Sequence, residues 1–489
     1  MARDRPGRLD SWKEIAEYLG RDVRTAIRWE KERKLPVHRI PGGKRPGVYA
    51  MPDELDSWAS SLRSSAASEN NPPESTVPPP EAGWVTGQAA TKGSQYIVRW
   101  AAVAGASVLL TGIFLFWARD TLASSAQPAL AHPISFARAD YPANTPLGIA
   151  AADFNGDQRL DLIFTNSSND SLGVLLGDGY GGFKPGKRIS VGQQPERMAL
   201  GDFNGDGNID VAVTHRGSGE LRVLLGNGDG TFEESFRWPG GGRCRWISAA
   251  DFNQDGKLDL AIAQSGTHRL TILLGNGDGT FRRAAEYDTG EEPSALAVAD
   301  FSGNGFLDIV VADYRIGTGN SISLYPGHGD GTFGPRQIFP TGLGPLGIAT
   351  GDLNRDGRPD IVTANYLGGA SVLLGHRSGF LTRAFSLEAG AANGYVVIGD
   401  FDQDGFPDLA VLGEHSNTLS ILFGRGDGTF WPKQDIATGE YPDAAVTGDF
   451  DGDGKLDIAV ANTYGNSISV FLNRGRPPTP RSLAARLSP

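Results

Sequence analysis

Seven segments of the chain place carboxylates at one recurring spacing: DFNGDQRLD (153–161), DFNGDGNID (202–210), DFNQDGKLD (251–259), DFSGNGFLD (300–308), DLNRDGRPD (352–360), DFDQDGFPD (400–408) and DFDGDGKLD (449–457). Side-chain oxygens at the first, third, fifth and ninth positions, with a backbone carbonyl at the seventh, suit a hard divalent cation. Calcium takes roughly six to eight oxygens at about 2.3–2.6 Å. Glycine at the sixth position permits the sharp turn that brings the oxygens together. The expected ligands are Asp153, Asn155, Asp157 and Asp161 in the first loop, and Asp202, Asn204, Asp206 and Asp210 in the second. They continue with Asp251, Asn253, Asp255 and Asp259, then Asp300 and Asp308, then Asp352, Asn354, Asp356 and Asp360. The last two sets are Asp400, Asp402, Asp404 and Asp408, and Asp449, Asp451, Asp453 and Asp457.

The copies are unequal. The sixth and seventh loops have four carboxylates each and should bind most strongly; the fourth has two, with Ser302 and Asn304 between them, and should be weakest. The first loop has Gln158 where glycine is expected. No loop carries a glutamate at a twelfth position, so these are not EF-hands; each closes early and runs into an apolar, β-branched stretch. The loops together hold 22 of the carboxylates of a chain whose net charge is −12, and seven bound calcium ions would bring that charge to +2. The acidity is therefore accounted for as ligand charge and does not call for a basic partner. Clustered carboxylates without a cation repel one another, so chelation should lower the thermal midpoint.

The elements that must position these loops follow from their spacing. The segments begin 49, 49, 49, 52, 48 and 49 residues apart. A second element follows at a near-constant offset, as in LLGDGYGGF (175–183), LLGNGDGTF (224–232 and 273–281), YPGHGDGTF (325–333), LLGHRSGF (373–380) and LFGRGDGTF (422–430). Each unit reads as four strands joined by tight Asp-Gly turns; in the fourth they are Ala295–Ala299, Asp308–Ala312, Ser321–Tyr325 and Arg336–Pro340. Four antiparallel strands in about 50 residues make a propeller blade. The seventh unit stops at Val470-Phe471-Leu472 without a fourth strand, and Ile134–Tyr141 stands alone before the first unit. That orphan should complete the last blade and remove the open sheet edge.

These repeats resemble the FG-GAP/VCBS family, which includes the propeller of integrin α-subunits, over about 340 residues. The resemblance implies an all-β, seven-bladed propeller over 133–475 with structural calcium between the first two strands of each blade. In such a meander the acidic loops share one face with the Asp-Gly turns. The opposite face should present His215, Tyr314, Tyr366, His415, Tyr441 and Tyr464, and loop faces are where propellers bind ligands.

Other domains precede the repeats. Residues 64–95 form a Ser/Pro/Ala/Gly linker with Pro72-Pro73 and Pro78-Pro79-Pro80. A transmembrane helix is expected over 96–118, where WAAVAGASVLLTGIFLFWA (100–118) lacks charge. At 1.5 Å per residue those nineteen residues span roughly 28 Å, close to a bilayer core. Residues 119–132 are a spacer and 476–489 a tail. Arg99, Lys92 and the basic head place the N-terminus in the cytoplasm and the propeller in the periplasm or outside the cell. Residues 1–63 hold 14 Lys and Arg against 10 Asp and Glu, while the remainder is acidic. Ser11 and Glu14 form a capping box for a first helix, Asp22–Arg33 reads as a second, and His38–Ile40 with Gly47–Ala50 as a hairpin. A third helix starts after Pro52. This small α+β, winged helix-turn-helix pattern resembles the MerR and excisionase type. That resemblance implies Arg21, Arg24, Thr25 and Arg28 on or beside the recognition helix and Lys44 and Arg45 on the wing against DNA. No coiled coil follows to dimerise it.

No nucleophile–base pair or histidine cluster is visible, and the single cysteine, Cys244, excludes an intramolecular disulfide. An enzyme is not expected. Arg425-Gly426-Asp427 falls in the G-x-G-D-G-T-F slot of the repeat and reads as a turn rather than a recognition tripeptide. Two functions stay open. One is a membrane-anchored transcriptional regulator with a DNA-binding head and a calcium-binding propeller that recognises a protein or glycan. The other is an extracytoplasmic adhesion or carbohydrate-binding protein whose head does not bind DNA.

Overall fold

The computed structural model of the 489-residue chain describes residues 37–39, 48–49, 133–315, 319–376, 381–382, 385–390 and 392–476. The chain divides into two compact units, Met1–Leu109 and Leu110–Pro489. In the first, a short antiparallel ladder pairs His38 with Tyr49 and Arg39 with Val48, at the expected hairpin. The helices of the winged pattern, the residues Arg21, Arg24, Thr25, Arg28, Lys44 and Arg45, the linker and the span 96–118 lie outside the described residues. Among the described residues no helix is long and apolar enough to cross a membrane.

The second unit contains seven antiparallel sheets, each a four-stranded meander, with one extra short strand in the first. Their first strands contact one another in a closed ring, the arrangement of a seven-bladed propeller. The expected fourth-blade strands are found, at Pro293–Ala299, Asp308–Asp313, Ser321–Tyr325 and Gln337–Pro340. Arg336 stands just outside the last of these, and its guanidinium reaches Asp313 at 3.0 Å. The ring closes as expected: Phe136–Pro142 pairs with Ser467–Asn473, from Phe136 opposite Asn473 to Pro142 opposite Ser467. Gln434 of blade 6 clasps Ile134 at both backbone groups, at 3.1 and 2.6 Å.

The second strand of every blade is buried along its whole length, six residues each from Asp161–Asn166 to Asp457–Asn462. This burial on both faces explains their near-continuous apolar runs. The seams between blades are packed by the aromatic residues of the two repeated elements. Phe154 meets Phe232 of the next blade, Phe203 meets Phe281, Phe252 meets Phe333 and Phe450 meets Phe183, edge to face at 5.5–5.7 Å. Where blade 5 has Leu353 instead, it packs in one cluster with Phe430. Backbone bonds cross the same seams, as from Gly230 N–H to the Phe154 carbonyl at 2.8 Å and from Gly279 N–H to that of Phe203 at 2.9 Å. The acidic loops are thus anchored to the turns of the following blades.

Candidate functional site

Each acidic loop lies between the first two strands of its blade and wraps around its first aspartate. In the second loop, Asp202 Oδ1 accepts from the N–H of Gly205 at 2.7 Å and Oδ2 from that of Gly207 at 2.9 Å. Asp400 and Asp449 accept in the same way from Gly405 and Gly454, both at 2.9 Å. The sixth position takes a left-handed backbone, φ 81–85° in the six glycine loops. Gln158 takes it at φ 63° in the first, so the turn forms without glycine, at a strain of about 1 kcal/mol.

The ninth-position aspartates do something the spacing did not reveal. All seven are fully buried, and each spends both oxygens on backbone N–H groups. Asp210 holds Phe203 and Gly226 at 2.7 and 2.8 Å, Asp408 holds Phe401 and Gly424 at 2.8 and 2.7 Å, and Asp457 holds Phe450 and Asn473 at 2.8 and 2.7 Å. The same pair of bonds recurs at Asp161, Asp259 and Asp360, and Asp308 holds Ser302 in place of Phe301 together with Gly327. These residues clamp the loop to the end of the third strand. Burial pushes their carboxyls up, to about 7 at Asp408, against the lowering effect of the two N–H bonds.

The third position separates the loops into two kinds. Asn155, Asn204, Asn253 and Asn354 each donate from Nδ2 to the fifth-position aspartate, at 2.9–3.3 Å, which closes those loops on themselves. Asp402 and Asp451 have no N–H to donate. Their charges are met instead from the segment that follows the last strand, by Arg476 at 2.7 Å and Arg474 at 2.6 Å. Among the described residues, three carboxylates able to share one ion converge at Asp400, Asp402 and Asp408 and at Asp449, Asp451 and Asp453. These are the two loops expected to be strongest. The donors fit a hard cation: the Asp402 side chain is fully buried, and Oδ1 of the nearly buried Asp451 has no hydrogen-bond partner. In the fourth loop Ser302 and Asn304 bond within the protein, Asn304 to the Gly327 carbonyl at 3.2 Å.

The opposite face carries five of the six residues expected there. Tyr314, Tyr366, His415, Tyr441 and Tyr464 form one chain of ring contacts from blade 4 to blade 7, with centroids 6.1, 5.6, 5.9 and 4.5 Å apart. Tyr464 is 60 % exposed, and Leu343 and Leu367 are exposed beside the arc. His215 is a correction. It ends the second strand of blade 2 and turns inward, fully buried, with Nε2 2.8 Å from the Val191 carbonyl. Desolvation depresses its pKa and favours the neutral ring.

Several charged residues of this face are not apparent from the repeat pattern. Glu414 is buried beneath the arc and accepts a hydrogen bond from the Tyr441 hydroxyl. Burial, then the nearby Asp443, pushes its carboxyl up to about 8. Gly394 leaves the room it fills, since a Cβ there would collide with Glu414 Oε1. The Arg245 guanidinium lies 5.1 Å from the centre of the Tyr314 ring. Deeper, the third residue of the first strand is Ala295, Gly347 or Ala444 in three blades, matched by Gly148 just before the first strand of blade 1, but Arg197, Trp246 and Tyr395 in the other three. These three plug the central channel: Arg197 pairs with Asp443 at 2.9 Å, bonds the Leu147 carbonyl and lies over both rings at 5.1 and 5.7 Å. A cavity of about 310 Å³ extends from the plug toward the acidic-loop face. The signal for all of these was each residue's departure from its counterparts in the other repeats.

The FG-GAP-like repeat family matches residues 153–213, 202–262, 251–311, 300–363, 352–411 and 400–460, well over half of the chain. The chain belongs to the FG-GAP-like repeat family. No curated protein matches it. Among solved structures it is similar to BBS1N, in complex with ARL6DN in a mercury-soaked crystal, at 11 % identity and TM-score 0.50, over 71 % of this chain and 98 % of that one. A functionally unknown protein from Desulfotomaculum acetoxidans DSM 771 matches at 14 % identity and TM-score 0.49, over 64 % and 92 %. The first of these likenesses concerns the fold alone. Arg425-Gly426-Asp427 forms one of the repeat turns, with Asp427 Oδ1 accepting from the Thr429 N–H at 2.9 Å and Arg425 stacked on Trp431 at 3.9 Å.

Proposed function

We propose that this FG-GAP-like repeat protein is a non-enzymatic recognition module whose ligand or protein partner docks on the face opposite the acidic loops. The observation that carries this is the arc of Tyr314, Tyr366, His415, Tyr441 and Tyr464, which joins four blades and is partly open to solvent. Exposed aromatic groups placed together on loops are what propeller faces use for binding. The solved propeller BBS1N is itself in complex with another protein, ARL6DN. Cross-linking of the full-length protein in intact cell envelopes tests the reading. A variant with serine at Tyr366, Tyr441 and Tyr464 should lose captured partners; identical capture by both proteins sinks it.

Calcium is the proposed occupant of the acidic loops, first at the sixth and seventh, where three carboxylates converge. The proposal extends to the rest of the chain on sequence grounds. The uncharged segment 100–118 anchors it with the N-terminus in the cytoplasm and the propeller in the periplasm or outside, and the winged pattern of 1–63 binds DNA. The whole is then a one-component membrane-bound regulator. A salt-dependent mobility shift of genomic fragments by the full-length protein in micelles checks the head. Absence of any shift leaves the alternative, an extracytoplasmic adhesion or carbohydrate-binding protein whose head does not bind DNA.

A further inference from the structure

We infer that the aromatic arc binds an uncharged, extended saccharide, with Tyr366, His415, Tyr441 and Tyr464 as its stacking surface. This rests on the recognition reading above and names the chemistry of its ligand. The ring planes set the first constraint. Successive planes meet at 89°, 77°, 50° and 39°, so no two neighbours are parallel. A ladder of successive stacked bases needs ring faces that align. A puckered pyranose instead offers C–H patches on its faces and hydroxyls around its rim, and it accepts ring edges and faces in turn.

Charge sets the second constraint. A cationic ligand would seek the tyrosine faces, yet Arg245 already lies over Tyr314 and would repel it. An anionic ligand would need a cation to pair with. Arg243 holds Glu196 at 2.5 Å, Arg315 holds Glu291 at 2.8 Å, Arg197 holds Asp443, and the half-buried Arg245 is spent on the Tyr314 ring. A neutral ligand rich in hydroxyls disturbs none of these contacts.

The third constraint is preorganisation. Tyr441 sits at φ 58°, a left-handed backbone that costs a bulky residue about 1–2 kcal/mol, at a connection where five of the other six blades place Thr145, Gln194, Glu292, Gly344 and Ala392. Its hydroxyl is tied to Glu414 below, and its ring rests 4.5 Å from that of Tyr464. A strained, tethered aromatic side chain at a partly open surface is fixed in place before a ligand arrives.

Affinity electrophoresis of the full-length protein in micelles, through gels containing soluble starch, hydroxyethylcellulose, arabinoxylan or galactomannan, tests the assignment. Retardation by at least one of these neutral polymers is expected. Tyr464→Ala should weaken it about tenfold, the loss of one good stacking contact, without moving the thermal midpoint, because that side chain is mostly exposed. Tyr441→Phe, which keeps the ring and frees it from Glu414, should lose less than Tyr441→Ala. Retardation by none of the polymers, or retardation that Tyr464→Ala leaves unchanged, overturns the saccharide. If cross-linking then captures a protein partner that Tyr464→Ala abolishes, the recognition face stands and only its ligand class is wrong.

Discussion

On the acidic-loop face of the propeller the same contacts recur blade after blade. On the opposite face, the residue after the second strand is Arg216, Ser265, Tyr314, Tyr366, Glu414 and Thr463 in blades 2 to 7, no two alike save one pair. The first face has one clamp aspartate per blade, each holding two backbone N–H groups, and aromatic seams between the blades. The second has an aromatic arc confined to blades 4 to 7 over a plug contributed by blades 2, 3 and 6. A contact needed by every blade belongs to the scaffold. A contact made once has been freed from that demand and is where a specific ligand can be served.

Metal removal is the largest blow to the repeated face. A ligand at a hundredfold excess over its dissociation constant adds about 2.7 kcal/mol per site. Calcium at the sixth and seventh loops should therefore raise the thermal midpoint by many degrees, and EDTA should reverse it. Asp402→Asn and Asp451→Asn should each remove a large part of the calcium effect, whereas Asp300→Asn should remove little. A melt unmoved by EDTA would take calcium out of the account and leave the loops as polar turns.

The clamp aspartates come next. Asp408→Ala leaves the buried N–H groups of Phe401 and Gly424 without acceptors, at about 1–3 kcal/mol each. The midpoint should fall by roughly 5–10 °C in EDTA, and further in calcium, because Asp408 is also one of the three carboxylates that converge in the sixth loop. Asp210→Ala, in a loop with fewer carboxylates, should cost about the same. A cost at Asp408 that vanishes in EDTA would show the residue to be a metal ligand first and a clamp second.

How much of this was legible follows the same division. The blade count, the closure by Phe136–Pro142 and the loop positions could be read because they are periodic, and a period averages over seven copies. The two loops where three carboxylates converge could be read because a carboxylate at the third position is written in the residue type. The clamp role of the ninth aspartates could not: a ligand and a hydrogen-bond acceptor are the same residue until burial and partners are known. His215 was misread because only its position at a strand end was visible, not the inward turn toward Val191. Arg197, Trp246, Tyr395 and Glu414 were in plain view as departures from the repeat, but which departures meet across the ring depends on closure in space.

On the unrepeated face, Glu414 provides a pH test. Its carboxyl is raised by burial and by Asp443, against the lowering influence of Tyr441, Arg197 and Arg245. A raised folded pKa means that the folded chain holds the proton more tightly than the unfolded one. The contribution to stability is complete below the ordinary glutamate value near 4.5 and is lost as pH rises toward about 8. Glu414→Gln removes this dependence. The variant should match the parent at pH 5 and exceed it at pH 8 by about 1–3 kcal/mol, given that a tenfold difference in proton affinity is worth roughly 1.4 kcal/mol and that the site relaxes around the charge. An advantage of the same size at both pH values would assign the effect to packing rather than titration.

The smallest effect joins the two kinds of loop. Arg476 and Arg474 neutralise Asp402 and Asp451, the only third-position carboxylates among the seven loops, where the asparagine loops have no such charge to meet. A calcium ion entering either loop competes with a guanidinium for the same oxygens. Ion pairs whose arginine is half exposed contribute about 0.2–1 kcal/mol, so Arg476→Ala and Arg474→Ala should each tighten calcium binding by roughly twofold to fivefold in titration calorimetry. The gain should disappear when Asp402 or Asp451, respectively, is already asparagine. If calcium binding weakens instead, the arginines position the carboxylates for the ion rather than contend with it, and the segment after the last strand is part of the metal site.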